Sequence, residues 1–444
     1  MPDAIVVGAG VAGLTAAVEL RRAGRTVQVL EASGRIGGLA QTERHRGFLI
    51  ERGPGSLSQP SPEVRALLEL VGLWPRRLTP LPVTANRWTV RNGSLVPIPR
   101  SPLELLRSPL LSAGGKLRLA GAFVSHRPAS EDESLGTFVS RRLGREALER
   151  LADPFQQGIF AGDPDQLSMS HAFPGLVAME AEHGSLARAA VRGRGSRRTM
   201  VSFPGGVADL PAALAAQLLL PVRTGATVHS AGQHRDGWEV ELDDGERLVA
   251  QELVLAVPPR ELGLLSVNAD LVSSLAQLTS MPAASIATVA LGFQRSSVAH
   301  PLDGVGVLTP HCEHRQALGI LFASSCFPGR APEGHVLLTV LIGGVRQAQL
   351  VHVPDQALID IATREAACLL GATGSPELSL VSRWPAAIPQ FDLGHGRRVE
   401  AALAIEQANP GLALAGAWRT GTGLAAALES GVYAARRLEG LVAA

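Results

Sequence analysis

The stretch that most constrains this 444-residue chain is residues 4–38, AIVVGAGVAGLTAAVELRRAGRTVQVLEASGRIGG. Ala4 to Val7 is a short, wholly apolar run, the pattern of a parallel strand buried on both faces. Gly8, Gly10 and Gly13 follow at GxGxxG spacing and open a helix expected over Leu14 to Ala23, ended by Gly24. The first glycine allows a tight turn, the second lets a diphosphate approach the backbone, and the third lets helix and strand pack closely. With Val11 and Ala12 between them, they present unpaired N–H groups and the positive end of a helix dipole to phosphates. A glycine triplet alone is weak evidence; a strand before it and a helix after it supply the context that it requires. A second strand, Thr26 to Leu30, ends at Glu31, with Ala32 beside it. An acid here accepts from a ribose 2′-OH and selects a dinucleotide without a 2′-phosphate, which outweighs the alternative of a solvated strand end.

Composition narrows the remaining choices. The length suits two or three domains, and 46% hydrophobic residues suffice for a substantial core. A net charge of +1 gives no basic surface and argues against nucleic acid. Cys312, Cys326 and Cys368 are too few and too scattered for a disulfide framework, which suits a reducing cytoplasm. Cys326 and Cys368 lie in apolar stretches and read as buried small hydrophobes. Met1 is followed almost at once by the first strand, which predicts no signal or transit peptide. No apolar run reaches the ~20 residues that cross a bilayer. A cytoplasmic protein is expected, with peripheral attachment to the cytoplasmic membrane left open.

Further along, Ser61 opens a helix from Pro62 to Val71, and Asn86 to Pro99 reads as a hairpin turning at Asn92–Gly93. Residues 101–195 read as mostly helical. Within them, Ser101 to Ser125 alternates leucine clusters with Arg107, Lys116 and Arg118, which suits either ordinary core helices or a surface dipping into a membrane. Ser185 to Thr199 reads as a basic, glycine-rich loop. Ala226 to Pro259 reads as three strands, with a turn at Asp244–Gly245, leading into the buried run Leu253 to Val257. Ala287 to Phe293 and Val336 to Ile342 read as strands and Gln356 to Leu370 as a helix. Leu412 to Ala415 begins a closing strand–glycine–helix segment whose helix N-terminus suits an anionic ring. His311 to His314, HCEH, offers two histidines and Cys312 but no further ligand set, so no metal is expected.

Several of these segments carry resemblances. Arg35 with Gly37 and Gly38, in GRIGG, resembles the second diphosphate contact of FAD enzymes of the glutathione-reductase type, which makes FAD the implied cofactor. Gly53 and Pro54, in GFLIERGPGSL, are similar to the segment that passes the flavin in the amine-oxidase superfamily. By the same resemblance Val228 meets the adenine through its backbone, while Trp384, Gly416, Gly423 and Leu424 complete the cofactor set. GIFAGDPDQLSM (Gly158 to Met169), SFPGG (Ser202 to Gly206) and IPQFDLGH (Ile388 to His395) are similar to motifs of the FAD- and oxygen-dependent protoporphyrinogen/coproporphyrinogen oxidases of heme biosynthesis.

That resemblance implies an α/β fold: a two-dinucleotide-binding, Rossmann-like FAD fold with a β-rich substrate domain and a mainly helical, membrane-associating domain. The implied division is an FAD-binding domain of 1–83 with 200–259 and 396–444, a substrate-binding domain of 84–99 with 260–395, and a helical domain of 100–199. The implied reaction is six-electron oxidation of protoporphyrinogen IX, or alternatively coproporphyrinogen III, with O₂ reduced to hydrogen peroxide. Hydride leaves a meso carbon, pyrrole nitrogens relay protons, and the protein orients and desolvates. The resemblance gives the one catalytic role, substrate orientation, to the Gly158 backbone, and makes Arg87 and Phe160 substrate contacts. Partners are then the porphyrinogen and O₂, with a membrane surface and a homodimer left open. Two departures stand out: Ala425, Ala426 and Ala427 replace an Asn-Asp-Cys stretch, and Phe391 replaces a tyrosine.

Rival enzymes fit less well. An amine oxidase wants a lysine near the flavin and an aromatic cage, whereas the single lysine is Lys116 and the single tyrosine is Tyr433, well into the last helix. A carotenoid desaturase would lack the GIFAGD and IPQ–LGH motifs. A flavin protein without turnover stays compatible with the alanine run.

Overall fold

A computed structural model describes residues 1–58, 60–121, 132–183, 200–263, 265 and 275–441. Its nucleotide layer is a five-stranded parallel sheet in the order Leu412–Leu414, Glu252–Leu255, Ala4–Val7, Val27–Glu31, Arg223–Thr224. Ala4 pairs with Glu252 on one side and Val27 on the other, so the all-apolar run is the central strand and is buried throughout. The first helix spans Val11–Arg22, three residues ahead of the expected start, because Gly10 in extended conformation already serves as its N-cap. The last helix, Leu424–Leu438, lies against it. A Cβ on Gly431 would overlap the Ala12 carbonyl, so the two backbones are in direct contact there. Beginning, middle and end of the chain thus share one sheet and one core.

The expected β-meander is present as Val228–His234, Gly237–Leu242 and Arg247–Ala250. A seven-stranded sheet follows the order Leu378–Pro389, Ala283–Gln294, His335–Gly343, Ala317–Leu321, Gly304–Leu308, Asn86–Arg91, Ser94–Pro97. The predicted hairpin therefore joins this distant sheet, with Asn92 at φ 50° and Gly93 at φ 75°, the left-handed pair that a tight hairpin needs. Glu313 of HCEH fixes it, accepting from the N–H groups of Asn92 (2.9 Å) and Gly93 (3.0 Å) and pairing with Arg150. The helix Asp355–Leu370 packs Leu358, Ile361, Ala362, Ala366 and Leu369 into the core of this sheet. Cys368 falls outside that apolar stripe and is exposed, correcting its reading as buried; Cys326 is buried as expected.

Residues 102–183 are mainly helical where described. Phe138, Phe160, Phe173 and Phe391 form one cluster, so the FDLGH segment is packed into this helical unit. The helices Pro102–Arg107 and Ala113–Gly121 leave Leu103, Leu106 and Leu117 more than half exposed beside Arg107 and Arg118. The loop Ser185 to Thr199 lies outside the described residues. No helix among the described residues is long and apolar enough to cross a membrane.

A buried ionic knot joins the segments on either side of the cofactor region. Glu51 accepts from Thr42 Oγ1 (2.6 Å) and the Val207 N–H (3.1 Å), and lies 3.2 Å from the Arg330 guanidinium. Arg330, 2% exposed, also donates to Ser202 Oγ (2.6 Å) and the Phe203 carbonyl (3.3 Å) of the SFPGG motif. Burial pushes the Glu51 carboxyl up to about 7: removing the charge from water outweighs Arg330 and the two donors. Between the ordinary value of 4.5 and about 7, the folded chain holds a proton that the unfolded chain has lost. Stability from this group therefore declines as pH rises through that window. Thermal melts of wild type and Glu51→Gln should diverge from pH 5 to pH 7.5, the wild type losing ground. Parallel curves would show that Glu51 stays ionised throughout.

Candidate functional site

The glycine-rich turn and GRIGG pack against each other as one cradle. The Gly37 N–H donates to the Ala9 carbonyl at 2.8 Å, and Gly10 and Gly37 form a parallel bridge. A Cβ on Gly13 would overlap the Gly8 carbonyl oxygen, so this glycine is required by packing alone. A Cβ on Gly10 would meet nothing within 4 Å, so its bare backbone faces open space, as a diphosphate contact must. Val11 and Ala12 start the helix directly behind it. Glu31 closes the other end. Its Oε2 accepts from the Ala9 N–H at 2.8 Å, and its Oε1 from the Ser33 N–H at 3.0 Å and Ser33 Oγ at 2.7 Å. Ala32 and Arg35 are exposed on the same rim, Arg35 donating to the Gly38 carbonyl at 3.1 Å. Val228 opens its strand just past Ala226, whose N–H donates to the Glu31 carbonyl at 2.9 Å.

The remaining cofactor candidates lie where the two large sheets meet. Trp384, on the edge strand Leu378–Pro389, donates from Nε1 to the Arg52 carbonyl at 2.7 Å, and Thr288 Oγ1 donates to the same oxygen at 2.8 Å. These bonds latch the substrate sheet to the segment carrying Gly53 and Pro54. Gly416 donates its N–H to Ser430 Oγ at 2.8 Å, and Gly423, at φ 100° with open space around its missing Cβ, precedes Leu424 at the helix start. A buried ion pair holds this loop: Arg419 donates to Glu406 Oε1 (2.6 Å) and to the Leu414 carbonyl (2.9 Å). Two open helix N-termini, an acid at the second strand end and bare glycine backbone between them fit a dinucleotide with a flavin.

The substrate-side candidates converge on two neighbouring strands. Gly158 is exposed on the helix Asp153–Phe160, and a Cβ there would come within 3.1 Å of Leu308 Cδ2. Leu308 pairs with Thr89, so Arg87, two residues before Thr89 on the same strand, points to the same face. Arg87 is exposed and has no carboxylate partner among the described residues. Beside it, burial pushes the Cys326 thiol up to about 12 despite the Arg87 charge, so Cys326 is not a nucleophile. The Phe160 ring does not reach the cleft. It is 2% exposed, with ring centroids 5.7 Å from both Phe173 and Phe391, and so supports Gly158 from beneath. The rings of His311 and His314 are 6.3 Å apart, and no group of three metal-ligating side chains assembles among the described residues.

Sequence reasoning missed Asp153, Arg346 and Glu313, which tie the Gly158 helix and the Asn92–Gly93 hairpin to the strands around them. Asp153 was legible only as an acid in a first helical turn, since its partners are remote in sequence.

The family described as flavin containing amine oxidoreductase matches residues 11–438. The chain is 31% identical to protoporphyrinogen oxidase 2, chloroplastic/mitochondrial, of Arabidopsis thaliana, over 97% of this chain and 92% of that one. It is 29% identical to coproporphyrinogen III oxidase of Bacillus subtilis (strain 168), over 96% of each. The solved structure titled "Putative protoporphyrinogen oxidase from Exiguobacterium sp. 255-15" superposes with a TM-score of 0.84 at 25% identity, covering 99% of this chain and 98% of that chain. The chain belongs to the flavin-containing amine oxidoreductases, in the branch that holds the protoporphyrinogen and coproporphyrinogen oxidases. It is an FAD oxidoreductase.

Two glycines separate packing from cofactor contact. Gly10→Val should fold with an unchanged melting temperature yet purify without bound flavin. Gly13→Ala should lose both flavin and stability, because its methyl meets backbone in the protein itself. Absorbance of bound flavin and thermal melts read the two effects, and flavin retained by Gly10→Val would remove Gly10 from the diphosphate site.

Proposed function

We propose that this chain is an oxygen-dependent porphyrinogen oxidase that converts protoporphyrinogen IX to protoporphyrin IX, releasing hydrogen peroxide. The observation that carries the reading is the helical Gly158 lying against Leu308, with Arg87 on the same sheet face as Leu308, in a chain whose relatives are named for porphyrinogen oxidation. When bound, the flavin supplies the hydride acceptor and the route of electrons to O₂. The chain supplies orientation. Gly158 leaves its backbone bare for the macrocycle to approach, and Leu308 packed against it keeps water from that surface. The Arg87 guanidinium offers a fork for a propionate.

Charge bookkeeping along this wall favours protoporphyrinogen over coproporphyrinogen, which carries two more propionates. Arg150, Arg315 and Arg346 are each committed to carboxylates: Glu313, Glu365, and the pair Asp153 and Asp163. Among the described residues on this face, Arg87 has no carboxylate partner and can meet a substrate anion. The proposed domain division follows the sheets: an FAD unit of 1–83, 200–259 and 396–444, a substrate unit of 84–99 and 260–395, and a helical unit of 100–199. The exposed Leu103, Leu106 and Leu117 beside Arg107 and Arg118 support contact of the helical unit with an anionic membrane face.

Porphyrin fluorescence and peroxide release, with each porphyrinogen supplied to flavin-loaded protein in air, test the reading. Protoporphyrinogen IX should turn over faster. Arg87→Ala should raise KM by roughly tenfold or more, the scale of a lost charged hydrogen bond, while Arg87→Lys recovers part of the loss. Faster turnover of coproporphyrinogen III would reverse the substrate assignment, and no enzyme-dependent product from either would overturn the oxidase reading.

A further inference from the structure

Arg346 lies just past the Gly343–Gly344 turn that ends the strand His335–Gly343 of the substrate sheet. Its guanidinium spans the helix that carries Gly158. One nitrogen donates to Asp153 Oδ1 at the helix start and the other to Asp163 Oδ1 just beyond its end, both at 2.9 Å. Asp153 is 4% exposed and its oxygens are fully engaged. Oδ1 also accepts from Gln156 Nε2 at 3.1 Å, while Oδ2 accepts from Gln157 Nε2 at 2.8 Å and from the His311 N–H at 3.1 Å. His311 follows Leu308 by one turn of chain, and Leu308 is the residue facing Gly158. One carboxylate therefore ties the Gly158 helix to the strand end that opposes it.

The other end of the helix is seated on the same turn. Ala161 adopts φ 48°, and its carbonyl accepts from the Val345 N–H at 2.8 Å. A Cβ on Gly344, at φ 80°, would come within 2.6 Å of that carbonyl oxygen, so the turn bearing Arg346 lies directly on the helix C-terminus. On the N-terminal side the helix follows a π-helical turn, Leu148–Ala152, whose backbone hydrogen bonds are wider-spaced than in an α-helix. The lateral clip adds two ion pairs to the ends of this helix.

We propose that Arg346 is a positioning residue for substrate: by bridging Asp153 and Asp163 it holds the Gly158 helix in place against Leu308, and with it the backbone surface that meets the macrocycle. This rests on the porphyrinogen reading of the site. A purely structural ion pair would change melting temperature and flavin content without changing substrate affinity. A positioning role acts on KM ahead of kcat, because misplaced walls weaken a bound geometry that the flavin side does not share.

The test uses the flavin-loaded full chain with protoporphyrinogen IX. Arg346→Ala should raise KM about tenfold or more, with kcat moving less and the absorbance of bound flavin unchanged. Arg346→Lys should recover part of the effect, since an ammonium serves one carboxylate where the fork serves two. Should the alanine variant not fold, Asp163→Asn, at a side chain 27% exposed, opens the C-terminal end of the clip alone and should still raise KM, by about threefold. Unchanged KM in folded, flavin-retaining variants would overturn the proposal, as would flavin and kcat falling together at constant KM. No turnover by wild type would overturn the proposed function, and the inference would fall with it.

Discussion

The structure depends on backbone touching backbone along the first helix. Gly13 lets that helix rest on the Gly8 turn, and Gly431 lets the last helix rest on Ala12, leaving no room for a side chain at either crossing. These contacts lock the two ends of the chain into one layer, and the Leu412–Leu414 strand extends the same sheet. Every other unit is then an insertion between ends fixed in place. The consequence for the site is direct: the glycine-rich turn near the N-terminus and the Gly423 helix start near the C-terminus keep a fixed relative placement because the helices behind them cannot slide.

Ionisable side chains are buried both within this layer and where the seven-stranded sheet meets it. Glu51 with Arg330 lies at the junction and Glu406 with Arg419 and Arg437 within the layer, and buried ion pairs of this kind in general stabilise no better than apolar side chains. Their value lies in direction. Arg330 reaches two SFPGG backbone and hydroxyl oxygens that no aliphatic side chain would recognise, and Arg419 fixes the Leu414 carbonyl while its guanidinium stacks over Tyr433 at 4.5 Å. Around the cofactor, register is defined by these hydrogen bonds, whereas the apolar cores on either side define only proximity.

Local signals made the scaffold legible in the sequence. The wholly apolar first strand, the GxGxxG spacing, the Ser61 cap accepting from the Val64 N–H and the Asn92–Gly93 turn each act within a few residues, and each has its expected form. What escaped was set by partners far along the chain. Glu313 caps a hairpin more than two hundred positions away, and Asp153 meets Arg346 at a separation of 193 residues. Phe160 lies beside the substrate glycine in sequence, yet helical geometry turns its ring to the opposite side, into the phenylalanine cluster. Cys368 was misread for the same reason, an apolar neighbourhood in sequence being no guide to which face of a helix is covered.

The two departures from the family pattern make physical sense in place. Ala425, Ala426 and Ala427 pack at the first turn of the last helix, against the core that contains the first helix, and that helix end acts through N–H groups and dipole that any side chain leaves intact. Small residues there keep the space in front of Gly423 open. Phe391 is 1% exposed and stacks on His395, with ring centroids 4.1 Å apart and planes 15° apart. Burial, with His171 and Arg398 adding to it, pushes the His395 imidazole down to about 4, so the ring is neutral at physiological pH and stacks as an aromatic surface. A hydroxyl on residue 391 would need a partner inside an apolar cluster, and phenylalanine removes that requirement. Both changes replace side-chain chemistry with packing.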